Sequence, residues 1–341
     1  MGAGQGGESG SMAPEDLELP EGKLPYDSDL QQQRLKAWQP IIHPKQAFVV
    51  LLISGLAMIG IGAFVEISNA ETVEFSQRYD DRSACSVNTN TSAPAVYCNV
   101  TLDIQKKMEG PLQFSYQLTS YFQNYRRYVK SRSDWQLADV AGTLETCDPL
   151  ENFGNKTLYP CGLVASSFFN DSFTAFACGS SGTDCVELTG NSWKETGIAW
   201  KSDRDKLFKE RPLESGETNI GPNGFALPAV NNEHFIVWMR AAGLPKFRKL
   251  YSTIDRGFSE GDKLIIQINS NYPVSTFSGS KSIVLEETSW MDGKNNFLGA
   301  LYMTVGSMAT LSAIIFAIIQ YKRPRPLADP NSIPDSCRAA W

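Results

Sequence analysis

Seven cysteines, two histidines and one close pair of carboxylates are the residues of this 341-residue chain with the types and spacing to do chemistry. A zinc site needs four closely placed nitrogen or sulfur ligands. His43 and His234 are the only histidines, and no Cys-x-x-Cys occurs, so neither zinc nor dithiol redox chemistry has a motif to stand on. His234 is also too isolated for a Ser-His-Asp enzyme, and no G-x-S-x-G accompanies it. Asp203 and Asp205, in "KSDRDKLF", have the spacing with which glycosyltransferases hold a metal and a nucleotide sugar. In so charged a segment a solvated, salt-bridged face is the simpler reading. Six cysteines remain, Cys85, Cys98, Cys147, Cys161, Cys178 and Cys185, with Cys337 far from them. Four Asn-x-Ser/Thr sequons, at Asn90, Asn99, Asn155 and Asn170, fall in the same region. What these groups can do depends on which side of a membrane they occupy.

Two windows settle that. "QAFVVLLISGLAMIGIGAFV" (Gln46 to Val65) and "FLGALYMTVGSMATLSAIIFAIIQ" (Phe297 to Gln320) carry no charged residue and no histidine. As helices, about 20 residues span roughly 30 Å, the hydrocarbon thickness of a bilayer. The first apolar run is too long for a signal peptide. Arg34, Lys36 and Lys45 precede the first span, Glu66, Glu71 and Glu74 follow it, and Lys322, Arg323 and Arg325 follow the second. The positive-inside rule therefore predicts two cytosolic ends. The expected domains are a cytosolic tail (1–45, with 1–30 disordered), a first span (46–66), a lumenal or extracellular domain (67–295), a second span (296–320) and a cytosolic tail (321–341). All six clustered cysteines and all four sequons then lie outside, where an even cysteine count reads as disulfides.

The outer domain, roughly 230 residues, is long enough for one sizeable core. Period-two alternation in "AVYCNVTLDI" puts Val96, Cys98, Val100, Leu102 and Ile104 on one face and Asn99 and Thr101 on the other. "PLQFSYQL", "EHFIVWMR" and "DKLIIQINSNYPV" read as strands in the same way, and "DWQLADVAG" as a short helix. The expected fold is a membrane protein with two transmembrane helices flanking a mostly antiparallel, sandwich-like, disulfide-bonded β domain. A net charge of -6 argues against nucleic acid as a partner. Arg126, Arg127, Lys130 and Arg132 among the aromatics of "YFQNYRRYVKSR" fit a protein partner or a lipid headgroup region. Ala309, Ala313 and Ala317, with Gly306 one turn before, form a small-residue ridge that lets another helix approach closely. Neither span has the ionisable residue that a proton or ion pathway usually needs.

The blocks "QQQRLKAWQP", "YFQNYRRYVKSR", "PCGLVASSFFNDSF", "GIAWKSDRDKLF", "EHFIVWMRAAGLPKFRKLY" and "GSKSIVLEETSWMDGKNNFLGALYMTVG" resemble, in order, the ligand-effect-modulator family, also called the cell division control protein 50 family. Its members are accessory β-subunits of type-IV P-type ATPases, the lipid flippases. The resemblance implies a non-catalytic subunit, without a cofactor but with N-linked glycans, that forms a heterodimer with the ATPase and lies against membrane lipids. It implies a role in export of the ATPase from the endoplasmic reticulum, in its stability and in lipid translocation. The family's second disulfide matches Cys147 with Cys161, and Cys85 with Cys98 falls in a further family region. Cys178 and Cys185 match no family pair, and local pairing across their Gly-Ser turn is the simplest reading. Arg34, Trp38, Tyr125, Arg126, Arg127 and Trp238 become candidate partner contacts, with Gly306, Ala309 and Ala313 in the second span. The rival classes are a two-span ligand-gated ion channel and a lumenal glycosyltransferase-like enzyme on Asp203 and Asp205. Non-reducing peptide mapping is expected to recover Cys147 joined to Cys161; recovery of Cys147 as a free thiol would refute the pairing.

Overall fold

The computed structural model describes residues 28–30, 44–87, 96–142, 144–182, 184–222, 224–288, 294 and 296–324. Arg34, Trp38, Asn90 and Cys337 lie outside the described residues, as does most of the 1–30 stretch expected to be disordered. In chain order the elements begin with helix α1 (Pro44–Glu71) and strands β1 (Glu74–Arg78), β2 (Val96–Asp103) and β3 (Leu112–Leu118). Helices α2 (Arg126–Lys130) and α3 (Asp134–Leu137) follow, then β4 (Asn152–Phe153), β5 (Lys156–Leu158) and α4 (Leu163–Ser166). Next come β6 (Ser172–Cys178), β7 (Cys185–Glu187), β8 (Glu217–Thr218) and α5 (Glu233–Met239). Strands β9 (Phe247–Ile254), β10 (Lys263–Ser270) and β11 (Lys281–Glu287) lead into α6 (Asn296–Lys322).

Helices α1 and α6 are each long and apolar enough to cross a membrane. Their apolar side chains, such as Ile53 and Phe64 on α1 and Met308 and Phe316 on α6, are exposed, as suits helices dissolved in lipid rather than packed in a core. By contacts the chain divides into two units, residues 1–55 with 308–341, and residues 56–307.

The second unit holds three sheets, ordered β1-β11-β3-β9, β2-β10-β6-β7 and β4-β5-β8. Every pairing in the two four-stranded sheets is antiparallel. Alternation builds their shared core. Along β2 the inward residues Cys98, Val100 and Leu102 are buried, while Tyr97, Asn99, Thr101 and Asp103 are exposed. Leu264, Ile266 and Ile268 of β10 join Phe114 of β3 and Ile283 and Leu285 of β11 in one apolar cluster drawn from both sheets. Rings fill its centre: Phe173 meets Phe114 edge-on at 5.4 Å and Tyr251 at 4.8 Å. The sandwich is thus closed by aromatic packing as well as by aliphatic burial.

One expected strand is a helix. "EHFIVWMR" forms α5, burying Phe235, Ile236, Trp238 and Met239, which follow the helical spacing i, i+1, i+3, i+4. Asn232 caps it, accepting from the N–H groups of His234 and Phe235 at 2.9 and 3.3 Å. Periodicity alone cannot separate a short apolar run in a strand from one in a buried helix; here the Asn-Glu start decides. At the other end, the Lys249 ammonium donates to the carbonyls of Val237, at 3.0 Å, and Arg240.

Three disulfides staple the second unit, Cys85 to Cys98, Cys147 to Cys161 and Cys178 to Cys185. The last joins directly opposed residues of β6 and β7. Cys147 and Cys161 are buried with Leu158 in a small core of their own. Gly162, at φ +100°, follows Cys161 so closely beneath the chain that a Cβ there would lie 2.2 Å from the Ser131 carbonyl oxygen. Closing a loop of this length stabilises by about 3 kcal/mol in the chain-entropy model.

A buried ion pair links the two large sheets. The Lys281 ammonium, on β11, donates to Asp171 at 2.6 Å, to Ser270 Oγ on β10 at 2.9 Å and to the Tyr272 carbonyl at 2.8 Å. Asp171 also accepts from the Tyr79 hydroxyl at 2.7 Å and from the N–H groups of Asn271 and Tyr272 at 2.6 Å each. Burial, reinforced by the Asp171 carboxylate, drives the Tyr79 hydroxyl well above its ordinary pKa, so it stays a donor. On the outer face, Arg248 of β9 reaches Glu286 of β11 at 3.2 Å and Glu74 of β1 at 2.7 Å, strapping the first sheet.

Two predictions follow from these charges. Lys281→Met leaves the Asp171 carboxylate buried without its cation and is expected to cost about 3–5 kcal/mol. Denaturant titration of the purified protein measures this; a loss below about 1 kcal/mol would show that the pair does not hold the sheets together. Hydrogen bonds from Arg240 and Arg211 hold the Asp203 and Glu217 carboxyls below their ordinary range. A carboxylate depressed in the folded state contributes stability above its unfolded pKa and loses it as pH falls toward the folded value. Circular dichroism melts are therefore expected to hold steady from pH 7 to about 5 and to fall below about pH 4.

Candidate partner-binding surfaces

The loop and helix from Tyr121 to Lys130 are held from inside so that other side chains face out. Tyr121 packs its ring against Phe277 at 5.1 Å and Trp238 at 5.8 Å. Gln123, fully buried, accepts from the Ala242 N–H at 2.8 Å, and the Tyr128 hydroxyl bonds to Ser167 Oγ at 2.8 Å. Between these anchors Phe122 and Tyr125 stand exposed and stacked, with ring centroids 5.1 Å apart and planes 4° from parallel. Arg126, Arg127 and Lys130 follow in α2, exposed, and none meets a carboxylate among the described residues. An exposed aromatic pair followed directly by exposed cations has the composition of an interface hot spot. Tyr125, Arg126 and Arg127, candidates by residue type, are all exposed here, and Phe122 joins them only through its stacking on Tyr125.

Trp238 is corrected. It is fully buried and donates its indole N–H to the Val164 carbonyl at 2.9 Å, so it cannot touch a partner. Its position on the inner face of α5 is the cause, and it serves instead as backing for Tyr121. The small-residue ridge also faces inward in part: Gly306 and Ala313 are buried, while Ala309 is half-buried. Within the second unit α1 and α6 also approach closely at other glycines. A Cβ on Gly62 would lie 2.8 Å from the Met303 backbone nitrogen, and one on Gly299 would lie 2.6 Å from Glu66 Oε2. The Asn69 and Asn296 side chains hydrogen-bond across the same pair. These small and amide residues are a signal that spacing of alanines alone does not contain.

The remaining candidates are structural. Asp203 is buried and takes a two-pronged contact from Arg240, at 2.6 and 2.9 Å, while Asp205 is exposed. The two carboxylates do not converge, and no group of metal-ligating residues occurs among the described residues. Asp203 and Asp205 therefore do not form the paired-carboxylate site of the glycosyltransferase-like alternative. Arg240 in turn lies 4.0 Å over the Trp200 ring. His234 stacks on Tyr251 at 4.3 Å and meets Glu195 at 3.1 Å, a packing role. Of the sequon asparagines, Asn99 stands on the exposed face of the edge strand β2, Asn155 on the exposed turn between β4 and β5, and Asn170 half-buried just before β6.

Comparison with known proteins gives this geometry a family. Residues 65–326 match the family described as LEM3 (ligand-effect modulator 3) family / CDC50 family. The chain is 36% identical to "ALA-interacting subunit 3" of Arabidopsis thaliana over 325 residues, covering 91% of this chain and 90% of the relative. It is 35% identical to "Cell cycle control protein 50A" of Bos taurus, with 88% and 90% covered. To "Phospholipid-transporting ATPase accessory subunit CRF1" of Saccharomyces cerevisiae it is 33% identical, with 90% and 88% covered. The matched span takes in the last two turns of α1, the whole β domain with its three disulfides and all of α6, so the chain belongs to the LEM3 (ligand-effect modulator 3) / CDC50 family.

Proposed function

We propose that this protein is the non-catalytic accessory subunit of a phospholipid-transporting type-IV P-type ATPase. The observation that carries the reading is the near full-length likeness to relatives of that role, among them the yeast accessory subunit. The fold agrees with it. Charges that a sequence search would offer to an enzyme are spent on internal pairs, as at Asp203 with Arg240, whereas the stacked Phe122 and Tyr125 with Arg126 and Arg127 are left outward.

In this reading subunit and ATPase form a heterodimer. Both chain ends lie in the cytosol, and the β domain lies in the lumen of the secretory pathway or outside the cell. Disulfides and N-linked glycans at Asn90, Asn99, Asn155 and Asn170 suit that side of the membrane. The ATPase supplies ATP hydrolysis, and this subunit needs no cofactor of its own. It accompanies the ATPase out of the endoplasmic reticulum, stabilises it and supports lipid translocation. The exposed apolar flanks of α1 and α6 meet lipid and the partner's spans. No observation favours the ion-channel alternative over this one.

The test is co-purification in mild detergent, with uptake of a fluorescent phospholipid as the functional readout. Wild-type protein is expected to bring down a type-IV P-type ATPase. The combined Phe122→Ala, Tyr125→Ala, Arg126→Glu, Arg127→Glu variant should recover at least about tenfold less, as loss of a hot spot predicts. Its melting temperature should stay unchanged, because these side chains are exposed. Recovery of no such ATPase by the wild type, with lipid uptake unaltered on deletion, would refute the proposal.

A further inference from the structure

Asn170 opens onto a cavity that its neighbours have not filled. This groove, about 640 Å³ and open on one side, is walled by Phe168, Phe225, Tyr272 and Phe277, with Ser166 and Asn170 among its polar lining. Its size lies in the range of roughly 300–1,000 Å³ that holds a small molecule. Two of its lining residues, Ser166 and Asn170, carry a side-chain oxygen, Oγ and Oδ1, that is buried without a hydrogen-bond partner. Buried polar atoms are nearly always paired, so two such oxygens in the wall of one groove set this wall apart. Apolar walls made of aromatic side chains, with hydroxyl and amide residues between them, suit one ligand class well. A pyranose presents a C–H face to an aromatic ring and hydroxyl or acetamido groups along its edge.

Asn170 is itself the acceptor asparagine of an Asn-Asp-Ser sequon. We propose that the groove is the seat of the N-linked glycan carried by Asn170. The first two N-acetylglucosamine rings lie against the aromatic side chains of Phe277 and Phe225, and their polar groups turn to the groove's open side. Sugars bind such surfaces weakly when free. A covalent tether on the groove's own rim raises their local concentration to the order of millimolar, enough to keep a weak site filled. The neighbouring residue strengthens the placement. Asp171 is locked by Lys281, Tyr79 and two backbone N–H groups, so the chain at Asn170 is fixed in position. By contrast Asn99 and Asn155 stand exposed, outside the lining of this groove, and their glycans are expected to project into solvent.

This inference rests on the glycosylation part of the proposed function and goes beyond it. The test is release by peptide-N-glycosidase from the native, detergent-solubilised full chain and from denatured protein, followed site by site by mass spectrometry. In the native protein the Asn170 glycan is expected to come off at least tenfold more slowly than those at Asn99 and Asn155, and at a similar rate after denaturation. Phe277→Ala, checked for an intact fold by its melting curve, should bring the native rate at Asn170 to within about twofold of that at Asn155, since it removes one wall of an aromatic site. Native release at Asn170 as fast as at Asn155 overturns the seat while leaving the glycan in place; it is also the result expected if a protein segment fills the groove. Slow release unchanged by Phe277→Ala overturns it as well, because shielding then comes from elsewhere. An Asn170 that carries no glycan removes the glycosylation reading at that position and the inference with it.

Discussion

A single ammonium group, that of Lys281, sits where the two large sheets meet and satisfies all three of its donors on protein oxygens. Taking such a charge out of water is tolerable only when geometry is close and complete. Here the completeness has wide effects. Lys281 begins β11, the strand between β1 and β3, and its acceptors lie on and around β10 and at the start of β6. The contact therefore fixes how one sheet lies on the other. Through Asp171 it also sets Tyr79 and the backbone at Asn271 and Tyr272, and so one end of the aromatic core.

That core does more than exclude water. Tyr121 and Trp238 contribute their bulk inward, and in doing so hold a loop whose alternate side chains, Phe122 and Tyr125, point out. Presentation of a rigid aromatic surface costs little entropy when the same segment is anchored by buried rings on either side. The helices follow a related economy of space. Gly62 and Gly299 let α1 and α6 approach closely within the second unit, while longer apolar side chains such as Phe64 and Leu301 are exposed.

Much of this was legible beforehand, for physical reasons that differ by element. Uncharged runs the length of a bilayer read directly as α1 and α6. Clean alternation read as β2, β3 and β10: one face of β2 and of β10 is buried, and β3, buried on nearly both faces, still alternates Leu112, Phe114, Tyr116 and Leu118 with Gln113, Ser115 and Gln117. It failed at "EHFIVWMR", where seven mostly apolar residues have no polar partner face to mark their period, and the cap at Asn232 was the deciding signal. Trp238 was assigned outward on residue type, but tryptophan is as much a core residue as an interface one, and only tertiary packing separates the two. Lys281 and Asp171 gave no local sign at all. Their sequence positions are 110 apart, and a buried pair at that distance is visible only once both sheets exist.

The strand order has a consequence for biosynthesis. Each large sheet receives a central strand late: β10 enters between β2 and β6, and β11 between β1 and β3. A chain synthesised from its N-terminus therefore exposes β1, β2, β3 and β6 with pairing edges open until nearly the whole domain has been made. Non-local pairing of this kind is slow, and open strand edges invite association with other chains. No chain ending before β10 can complete either sheet, so the domain closes only as synthesis is about to reach α6. Closure of the fold and the making of its second long apolar helix therefore fall at nearly the same moment.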